Sequence, residues 1–519
     1  MLLFMNFYMN TMEIELKLRL PPGALDALLA DPLIVKSSKT RKQLVNTYFD
    51  TPERTLAQAG ISLRLRSDGK HWLQTLKGPG TGHAGLHQRE EIEFPVTGPA
   101  LEWDALAETT YAATLAPLKT QLVPQFTTRF QRDVRRLNGA TGAKIELAMD
   151  QGLIIAGERQ EALCELELEL VSGPVDDIFY LALQLAKRHP LVTESRSKAQ
   201  RGSQLAQGAA LSPPLKAAAA ATALPAGTAV QAIARLSVEQ ALAHWQDNQA
   251  GFMHQLSHDP YNSEYLHQVR VAVRRLRVAC GPLAKALNWQ NTALKPIRVS
   301  LRKLGQQLGV ARDWDVFIEE TWPLLASHFP DAAQRQVIKE QAQLLQLTAR
   351  LQAQAALEGR EGQRLLLQLS KCLMQPDNAS ERLSDSDPTT PPPLQALTAV
   401  LDQLDHQMRK AIPKLSSLSP KKLHQLRIVA KKLRYLTEFI ASQYEPQAVE
   451  NWLKWLKNAQ TIFGGLNDQS TARKKIYILC ATAPRKPAKT QETLLSALKR
   501  QPKDKLEMKP LPGPYWHGQ

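Results

Sequence analysis

The chain has 519 residues, 43% of them hydrophobic, which is enough for two to four domains with well-filled cores. Its formal net charge is +16, but residues 1–205 hold 24 Lys+Arg and 24 Asp+Glu, so the rest of the chain carries the whole excess and is expected to bind a polyanion. Four widely spaced cysteines argue against a C-x-x-C zinc site or a disulfide scaffold and suit a reducing cytoplasm, and the absence of an apolar run of about 18 residues argues against a membrane span.

Charged and apolar residues alternate in the first predicted strand, "MEIELKLRL", which begins at Met12. Residues 1–11 have neither the basic segment nor the cleavage site of a signal peptide, so we do not expect one. Because Met12 directly precedes the charged strand, we expect it to be the start of the protein. Alternate side chains of a strand point to opposite faces, so two acids and two bases line one face here. Unpaired charges cannot be packed in a dry core, but they can line the water-filled interior of a barrel.

Two changes of composition divide the chain. Residues 1–205 are mostly period-2 segments and predict strands, and the Ala/Pro-rich stretch 206–228 predicts a linker. From residue 229 to 519 the period is helical, and a polar, Pro-rich stretch at 374–395, predicted to be a disordered loop, separates repeats at about 229–373 and 396–519. The predicted fold class is α+β multidomain: an antiparallel β-barrel followed by an all-α helical bundle with a two-fold repeat.

The predicted strands collect charges of both signs. The acids are Glu13, Glu15, Glu146, Asp150, Glu165, Glu167 and Glu169. The bases are Lys17, Arg19, Arg64, Arg66, Lys77, Arg129, Arg132, Arg196 and Lys198. Clustered carboxylates select hard cations such as Mg²⁺ or Mn²⁺, while Lys and Arg bind phosphate oxygens, so the combination predicts a site for a polyphosphate chain. Cross-strand salt bridges are the structural alternative, but the three alternating glutamates of "CELELEL" repel one another.

The motif "EIELK" resembles the ExExK motif of the CYTH superfamily, the triphosphate tunnel metalloenzymes. The resemblance covers nearly all of residues 12–205, with "YFDTP", "RLR", "TLKG", "REE", "TTRF", "IELAMDQG", "ELELEL" and "SRSK" in the family's order. It implies an antiparallel β-barrel that forms a tunnel and the metal-dependent hydrolysis of a triphosphate.

The resemblance also implies roles for individual residues. The implied metal ligands are Glu13, Glu15, Asp150, Glu167 and Glu169, with Glu146 and Glu165 as further acids. The alternating run permits a shift of two residues, so which of Glu165, Glu167 and Glu169 contact the metal stays open. The implied triphosphate ligands are Lys17, Arg64, Arg66, Lys77, Arg129 and Lys198, to which Arg132 is added as a neighbouring base. Lys77 and Tyr48 are implied to assist the attacking water, and Glu15 is expected to be indispensable for turnover.

The stretch "GTGHAG", residues 80–85, matches a dinucleotide-binding pattern by composition only. It precedes a predicted strand, whereas a dinucleotide site requires a strand, a loop and then a helix, so we predict a hairpin loop. His83 and His87 lie in the same segment without helical spacing or an acidic partner and do not predict a zinc site.

Two matching basic stretches mark the helical part of the chain. "LHQVRVAVRRLR", residues 266–277, is repeated 157 residues later as "LHQLRIVAKKLR", residues 423–434. Positions three and four apart share a helix face, so each stretch predicts one basic stripe. The stripes contain His267, Arg270, Arg274, Arg275 and Arg277, and His424, Arg427, Lys431, Lys432 and Arg434. Such like charges destabilise an isolated helix by about 0.2–0.5 kcal/mol per pair, which favours an anion ligand over a solvated surface.

These residues resemble the CHAD domain, a helical module with a two-fold repeat that is associated with polyphosphate binding, and the resemblance covers about residues 229–519. Inorganic polyphosphate is therefore the implied partner, and the absence of interleaved aromatic side chains argues against nucleic acid. We expect a cytoplasmic inorganic triphosphatase that uses Mg²⁺ or Mn²⁺, associates with polyphosphate granules and has no membrane partner. A thiamine triphosphatase, an adenylate cyclase and a non-catalytic polyphosphate-binding protein stay open as alternatives, because the motif residues contact phosphates only.

Overall fold

The computed structural model divides the protein into two compact units. It describes residues 9–21, 23–35, 37–208, 213–216, 230–256, 261–329, 331–375, 393–482, 487–500 and 510–517. The barrel unit comprises the described residues up to 208 together with 358–374, and the helical unit comprises the remaining described residues. All four cysteines are free, and no helix among the described residues is long and apolar enough to cross a membrane.

Eight antiparallel strands close the barrel in the order β5-β4-β3-β2-β6-β7-β8-β1, because β1 also pairs with β5, and a short ninth strand adds to β1. The strands are β1 (Met9–Arg19), β2 (Ser38–Asp50), β3 (Ser62–Ser67), β4 (Trp72–His83), β5 (Leu86–Val96), β6 (Val123–Asn138), β7 (Lys144–Ala156), β8 (Arg159–Ser172) and β9 (Val192–Thr193). The predicted antiparallel barrel is confirmed. The "GTGHAG" segment forms the end of β4 and the turn to β5, with no helix after it.

The hydrophobic core of the barrel unit lies outside the barrel wall. Its helices are α1 (Leu25–Leu29), α2 (Thr55–Gln58), α3 (Trp103–Ala107), α4 (Ala112–Leu115), α5 (Asp176–Arg188) and α6 (Lys198–Gln207). The apolar residues that alternate with the charged ones, such as Leu16, Leu166 and Leu168, are fully buried against Ile178 and Phe179 of α5. The period-2 pattern thus directs leucines outward under helices and leaves the charged side chains to the interior.

The helical unit is built from long helices, as predicted. The α-helices of this part of the chain, including α13 of the barrel unit and the short α9 and α11, are α7 (Val230–Gln255), α8 (Glu264–Val278), α9 (Ala284–Ala286), α10 (Leu294–Val316), α11 (Trp322–Ala326), α12 (Ala332–Glu358), α13 (Arg360–Met374), α14 (Pro393–Ala411), α15 (Pro420–Ile440), α16 (Pro446–Ala481) and α17 (Pro487–Arg500). The two basic stretches fall on α8 and α15. Most of the predicted linker and residues 376–392 of the predicted loop lie outside the described residues.

Helix α13 belongs to the barrel unit, although its sequence lies within the first helical repeat. Leu367 of this helix is fully buried in the same core cluster as Leu16 and Phe179. The helix is amphipathic, and periodicity alone shows that it has a buried face without showing which unit covers it.

Candidate functional site

Strand register brings the predicted acids together inside the barrel. Glu15 and Lys17 of β1 lie opposite Glu169 and Glu167 of β8. On the other side of β8, Glu146 of β7 lies opposite Glu169. Directly opposed residues of antiparallel strands share a face, so three neighbouring strands present their charges to one interior wall.

A buried network of ion pairs centres on Glu167. Its carboxylate accepts hydrogen bonds from Lys17 Nζ at 3.0 Å, from Lys198 Nζ at 2.8 Å and from Arg132 Nη2 at 2.6 Å. Arg132 also binds Asp150 through two bonds of 2.7 and 2.6 Å. Burial opposes ionisation of Glu167, but the three cations hold its pKa well below the ordinary value. The predicted ligands Lys17, Arg132 and Lys198 are therefore one cationic group.

A second cluster surrounds the two acids of the "EIELK" motif. Lys77 Nζ lies 2.7 Å from both carboxylate oxygens of Glu13. Arg89 of β5 lies 3.3 Å from Glu13 and 3.0 Å from Glu15, which also pairs with Lys17 at 2.8 Å. Burial alone would raise the pKa of both glutamates, but the neighbouring lysines and Arg89 keep Glu13 below its ordinary value, and Lys17 does so most strongly for Glu15.

The third wall is basic and carries the predicted tyrosine. Arg64 Nη1 donates to the Tyr48 hydroxyl at 3.5 Å, and Arg64 also lies 3.5 Å from Glu91 and 3.7 Å from Glu93. Burial would raise the pKa of Tyr48, but Arg64 lowers it overall. Burial and the adjacent Arg64 lower the pKa of Arg66 to about 10, so the carboxylates near Arg66 do not fully offset the positive charge of this wall.

Glu169 has the opposite environment, because its carboxylate is surrounded by other glutamates and not by cations. Burial and the charges of Glu13, Glu91, Glu146 and Glu15 raise its pKa to about 7. In the described part of the chain no lysine or arginine nitrogen forms an ion pair with this carboxylate. A hard divalent cation fits this donor set, because its preferred ligands are carboxylate oxygens. Among the described residues no three or more His, Cys, Asp or Glu side chains are already placed to hold a metal ion. Lysines and arginines pair instead with Glu13, Glu15 and Glu167.

Two predicted ligands lie differently from the rest. Glu165 is fully buried and pairs with Lys198 at 2.7 Å and with Arg201, so cations of α6 already hold its carboxylate. Arg129 is exposed on the outer face of β6, while Arg132 faces inward. Residues three apart on a regular strand point to opposite faces, which corrects the placement of Arg129 among the triphosphate ligands.

Four interior charges were missed in the sequence. They are Arg89, Glu91, Glu93 and Arg201. The first three follow the same period-2 alternation in "REEIEF" that singled out β1, and their register opposite Glu13, Lys77 and Thr75 places them inside. Arg201 lies three residues after Lys198 on α6, which is the spacing of one helix face.

The basic stripes of α8 and α15 lie in one cationic cluster. Burial together with Arg274, Arg427 and Arg270 lowers the pKa of Lys431 to about 6. The pKa of Arg270 falls to about 10 through burial and Arg274, and that of His267 to about 3 through burial and nearby arginines. Within the described residues the buried Nε of Arg274 has no hydrogen-bond acceptor. The cluster therefore has the charge and the unused donor that an anion would satisfy.

Some stripe residues have other partners or positions. Arg275 is buried, pairs with Glu438 and lies over the ring of Phe439 at 4.8 Å, so it joins α8 to α15. Arg434 Nε also binds Glu438, at 2.9 Å. The exposed members are Arg277, His424 and Lys432. Arg312 of α10, which the sequence did not single out, contributes to the lowered pKa of His267.

Comparison with known proteins also divides the chain into two domains. The family model of the CYTH domain matches residues 11–203, and that of the CHAD domain matches residues 236–476. An inorganic triphosphatase of Haemophilus influenzae is 36% identical over 193 residues, which are 37% of this chain and 54% of that protein, so the match spans about half of the relative.

Two further matches each cover more than half of this chain. An uncharacterized protein of Mycobacterium tuberculosis is 28% identical over 296 residues, 54% of this chain and 53% of that protein. The crystal structure of the CHAD domain from the plant Ricinus communis has 25% sequence identity and a TM-score of 0.46, and the match covers 56% of this chain and 93% of that one.

Proposed function

Because the chain joins a CYTH domain to a CHAD domain, we propose that the barrel unit hydrolyses inorganic triphosphate to pyrophosphate and phosphate, and that the helical unit binds inorganic polyphosphate. The observation that supports the reaction best is the interior of the closed barrel, where carboxylates and cations line one enclosed space. The similarity to an inorganic triphosphatase over the barrel sequence points to the same chemistry.

The basic walls would hold the triphosphate. Arg64, Arg66, Arg132 and Lys198 supply guanidinium and ammonium donors, which bind phosphate oxygens strongly when desolvated. Each is now partnered by a carboxylate or by another buried group, so the anionic substrate would take over cations that the protein has already gathered. Burial lowers the pKa of Arg66 because it removes water from the charged guanidinium. A phosphate beside this group would offset that cost, which favours binding of the substrate.

The acidic wall would hold a divalent cation, Mg²⁺ or Mn²⁺. Glu13, Glu15 and Glu169 are its proposed ligands, with Glu146 beside them. When bound, the cation would neutralise charge on the phosphate oxygens and leave the terminal phosphorus open to attack. Lys77, held against Glu13, is assigned to orient the attacking water, with Tyr48 fixed toward the substrate by Arg64.

The helical unit would bind polyphosphate through the shared cluster of α8 and α15. Arg270, Arg274, Arg427 and Lys431 are the central residues, because burial and the charges of Arg274 and Arg427 lower the pKa of both Arg270 and Lys431. Arg275 joins α8 to α15 through Glu438, and Arg434 binds the same carboxylate within α15.

Phosphate release by the full-length protein tests the catalytic half. The substrates are inorganic triphosphate, thiamine triphosphate, ATP and long-chain polyphosphate, each with Mg²⁺, with Mn²⁺ and with EDTA. We expect a preference for inorganic triphosphate that EDTA abolishes and that Glu15→Gln reduces by about 10² or more, given the role of a metal ligand. Glu158→Gln, an exposed turn residue with the same change of charge, is the matched control. Preferred turnover of an organic triphosphate would replace this substrate assignment.

Polyphosphate binding tests the other half. Arg274→Met with Lys431→Met should weaken binding of long-chain polyphosphate at least about tenfold, since each lost charge-assisted contact contributes more than 1 kcal/mol. Lys339→Met with Lys410→Met removes at least as much charge, from exposed positions of α12 and α14, and should change affinity far less. Equal losses in both pairs would show that net charge, and not the cluster, binds the polyanion.

A further inference from the structure

Side chains of helix α13 form hydrogen bonds with backbone groups of the barrel, in addition to the contacts of Leu367 in the hydrophobic core. The side-chain oxygen of Gln363 accepts hydrogen bonds from the Thr193 amide at 2.8 Å and from the Thr193 hydroxyl at 3.1 Å. The Ser370 hydroxyl donates to the His83 carbonyl at 2.7 Å. Gln363 and Ser370 are 1% and 0% exposed, so these bonds are shielded from water.

The two bonded segments hold the same residue of the active-site strand. Thr193 ends β9, and the next amide, that of Glu194, donates to the Lys17 carbonyl at 3.0 Å. His83 ends β4, and two residues later the Gly85 carbonyl accepts from the Lys17 amide at 2.7 Å. Both peptide groups of Lys17 are thus fixed by segments that α13 anchors.

Lys17 lies at the centre of the interior charges. Its ammonium bridges Glu15 and Glu167 at 2.8 and 3.0 Å, which connects the motif acids to the cationic group. The segment after Thr193 also leads directly into α6, whose first residue is Lys198. A shift of β9 or of the β4–β5 turn would therefore move Lys17 and Lys198, two of the triphosphate ligands that the resemblance implies.

We propose that α13 is a positioning element of the triphosphate site, with Gln363 and Ser370 as the positioning residues. The residues on either side of it in the chain, up to 357 and from 375, belong to the helical unit. The helical sequence thus supplies a part that the barrel site needs. The catalytic readout of this inference rests on the proposed triphosphatase function, but the contacts themselves can be tested without it.

The first experiment measures hydrogen–deuterium exchange in the full-length protein without substrate. Gln363→Met keeps the size of the side chain and removes the acceptor, and Gln368→Met makes the same change at a half-buried position of α13. We expect the Thr193 and Glu194 amides to exchange about tenfold faster in Gln363→Met than in Gln368→Met, because loss of the Gln363 acceptor lets the β9 segment open away from the Lys17 carbonyl. Equal exchange would overturn the proposal.

The second experiment measures kcat and KM for inorganic triphosphate, with thermal unfolding of each variant recorded in parallel. Misplacing a binding group by about 1 Å can cost on the order of 10²-fold, so Gln363→Met should lower kcat/KM at least about tenfold. Gln363→Glu retains an acceptor for Thr193 and should restore most of it. Ser370→Ala, a smaller change, should move kcat/KM in the same direction.

The outcomes separate the two claims. A lower melting temperature with kcat/KM equal to that of Gln368→Met would show that α13 only stabilises the barrel, which would refute its positioning role. Failure of the wild-type protein to hydrolyse triphosphate would refute the proposed function alone, because the exchange experiment would still decide whether α13 fixes Lys17.

Discussion

Glu169 allows a prediction about stability that does not depend on turnover. Its pKa is about 7 in the folded protein against an ordinary value of 4.5, because burial and four glutamates oppose its charge. A carboxyl with a raised pKa favours the folded state while it is protonated. That contribution is complete below about pH 4.5 and is lost as the pH rises through 7. At 1.36 kcal/mol per pKa unit the loss is at most about 3.4 kcal/mol, and partial exposure reduces it.

Glu169→Gln should therefore stabilise the metal-free protein at pH 8 but not at pH 4.5. For a unit of this size 1 kcal/mol corresponds to about 2–4 °C, so we expect a gain of several degrees for the barrel transition in calorimetry with EDTA. Glu158→Gln, at an exposed turn, controls for the change in net charge. Mg²⁺ should reduce the difference in melting temperature between Glu169→Gln and the wild type, because a bound cation would supply positive charge beside the Glu169 carboxylate. An equal gain at both pH values, or none at pH 8, would refute the electrostatic reasoning.

Three further predictions concern single groups. Arg132→Ala should reduce triphosphatase kcat/KM at least about 10²-fold, whereas Arg129→Ala, which alters the outer face of the same strand, should change it less than about twofold, and similar losses would contradict the assigned faces. Glu165→Gln should lower the melting temperature without raising the Mg²⁺ concentration for half-maximal activity, because lysine and arginine already hold this carboxylate; a raised Mg²⁺ requirement would make it a metal ligand. Lys431, with a pKa of about 6, is largely neutral at pH 7 and should take up a proton when polyphosphate binds. Calorimetry in buffers of different ionisation enthalpy should detect that proton in the wild type and not in Lys431→Met.

The barrel could be predicted from the sequence because its charges follow the period of a strand. Alternation in β1, β7 and β8 identified most of the interior acids, and the structure places Glu13, Glu15 and Glu169 on one wall. The same rule would have recovered Arg89, Glu91 and Glu93 if it had been applied to "REEIEF", and it would have separated Arg129 from Arg132. These differences come from incomplete use of a local pattern.

Other features depend on tertiary contacts that no local pattern contains. The pairing of Glu165 with Arg201 requires the position of α6 against β8. The division of the stripe residues, in which Arg275 serves packing while Arg274 keeps an unused donor, depends on where Glu438 of α15 lies. The position of α13 in the barrel unit also depends on tertiary contacts, because an amphipathic pattern predicts a buried face but not the surface that covers it.

The path of the chain through α13 bears on how this protein can be divided. A fragment that stops at residue 208 contains all nine strands but lacks Leu367, Gln363 and Ser370. It would leave a fully buried core position uncovered and two backbone groups without their partners, each costing about 1–3 kcal/mol. The segment that the CYTH family model matches, residues 11–203, therefore lacks a helix that completes the core of the barrel unit.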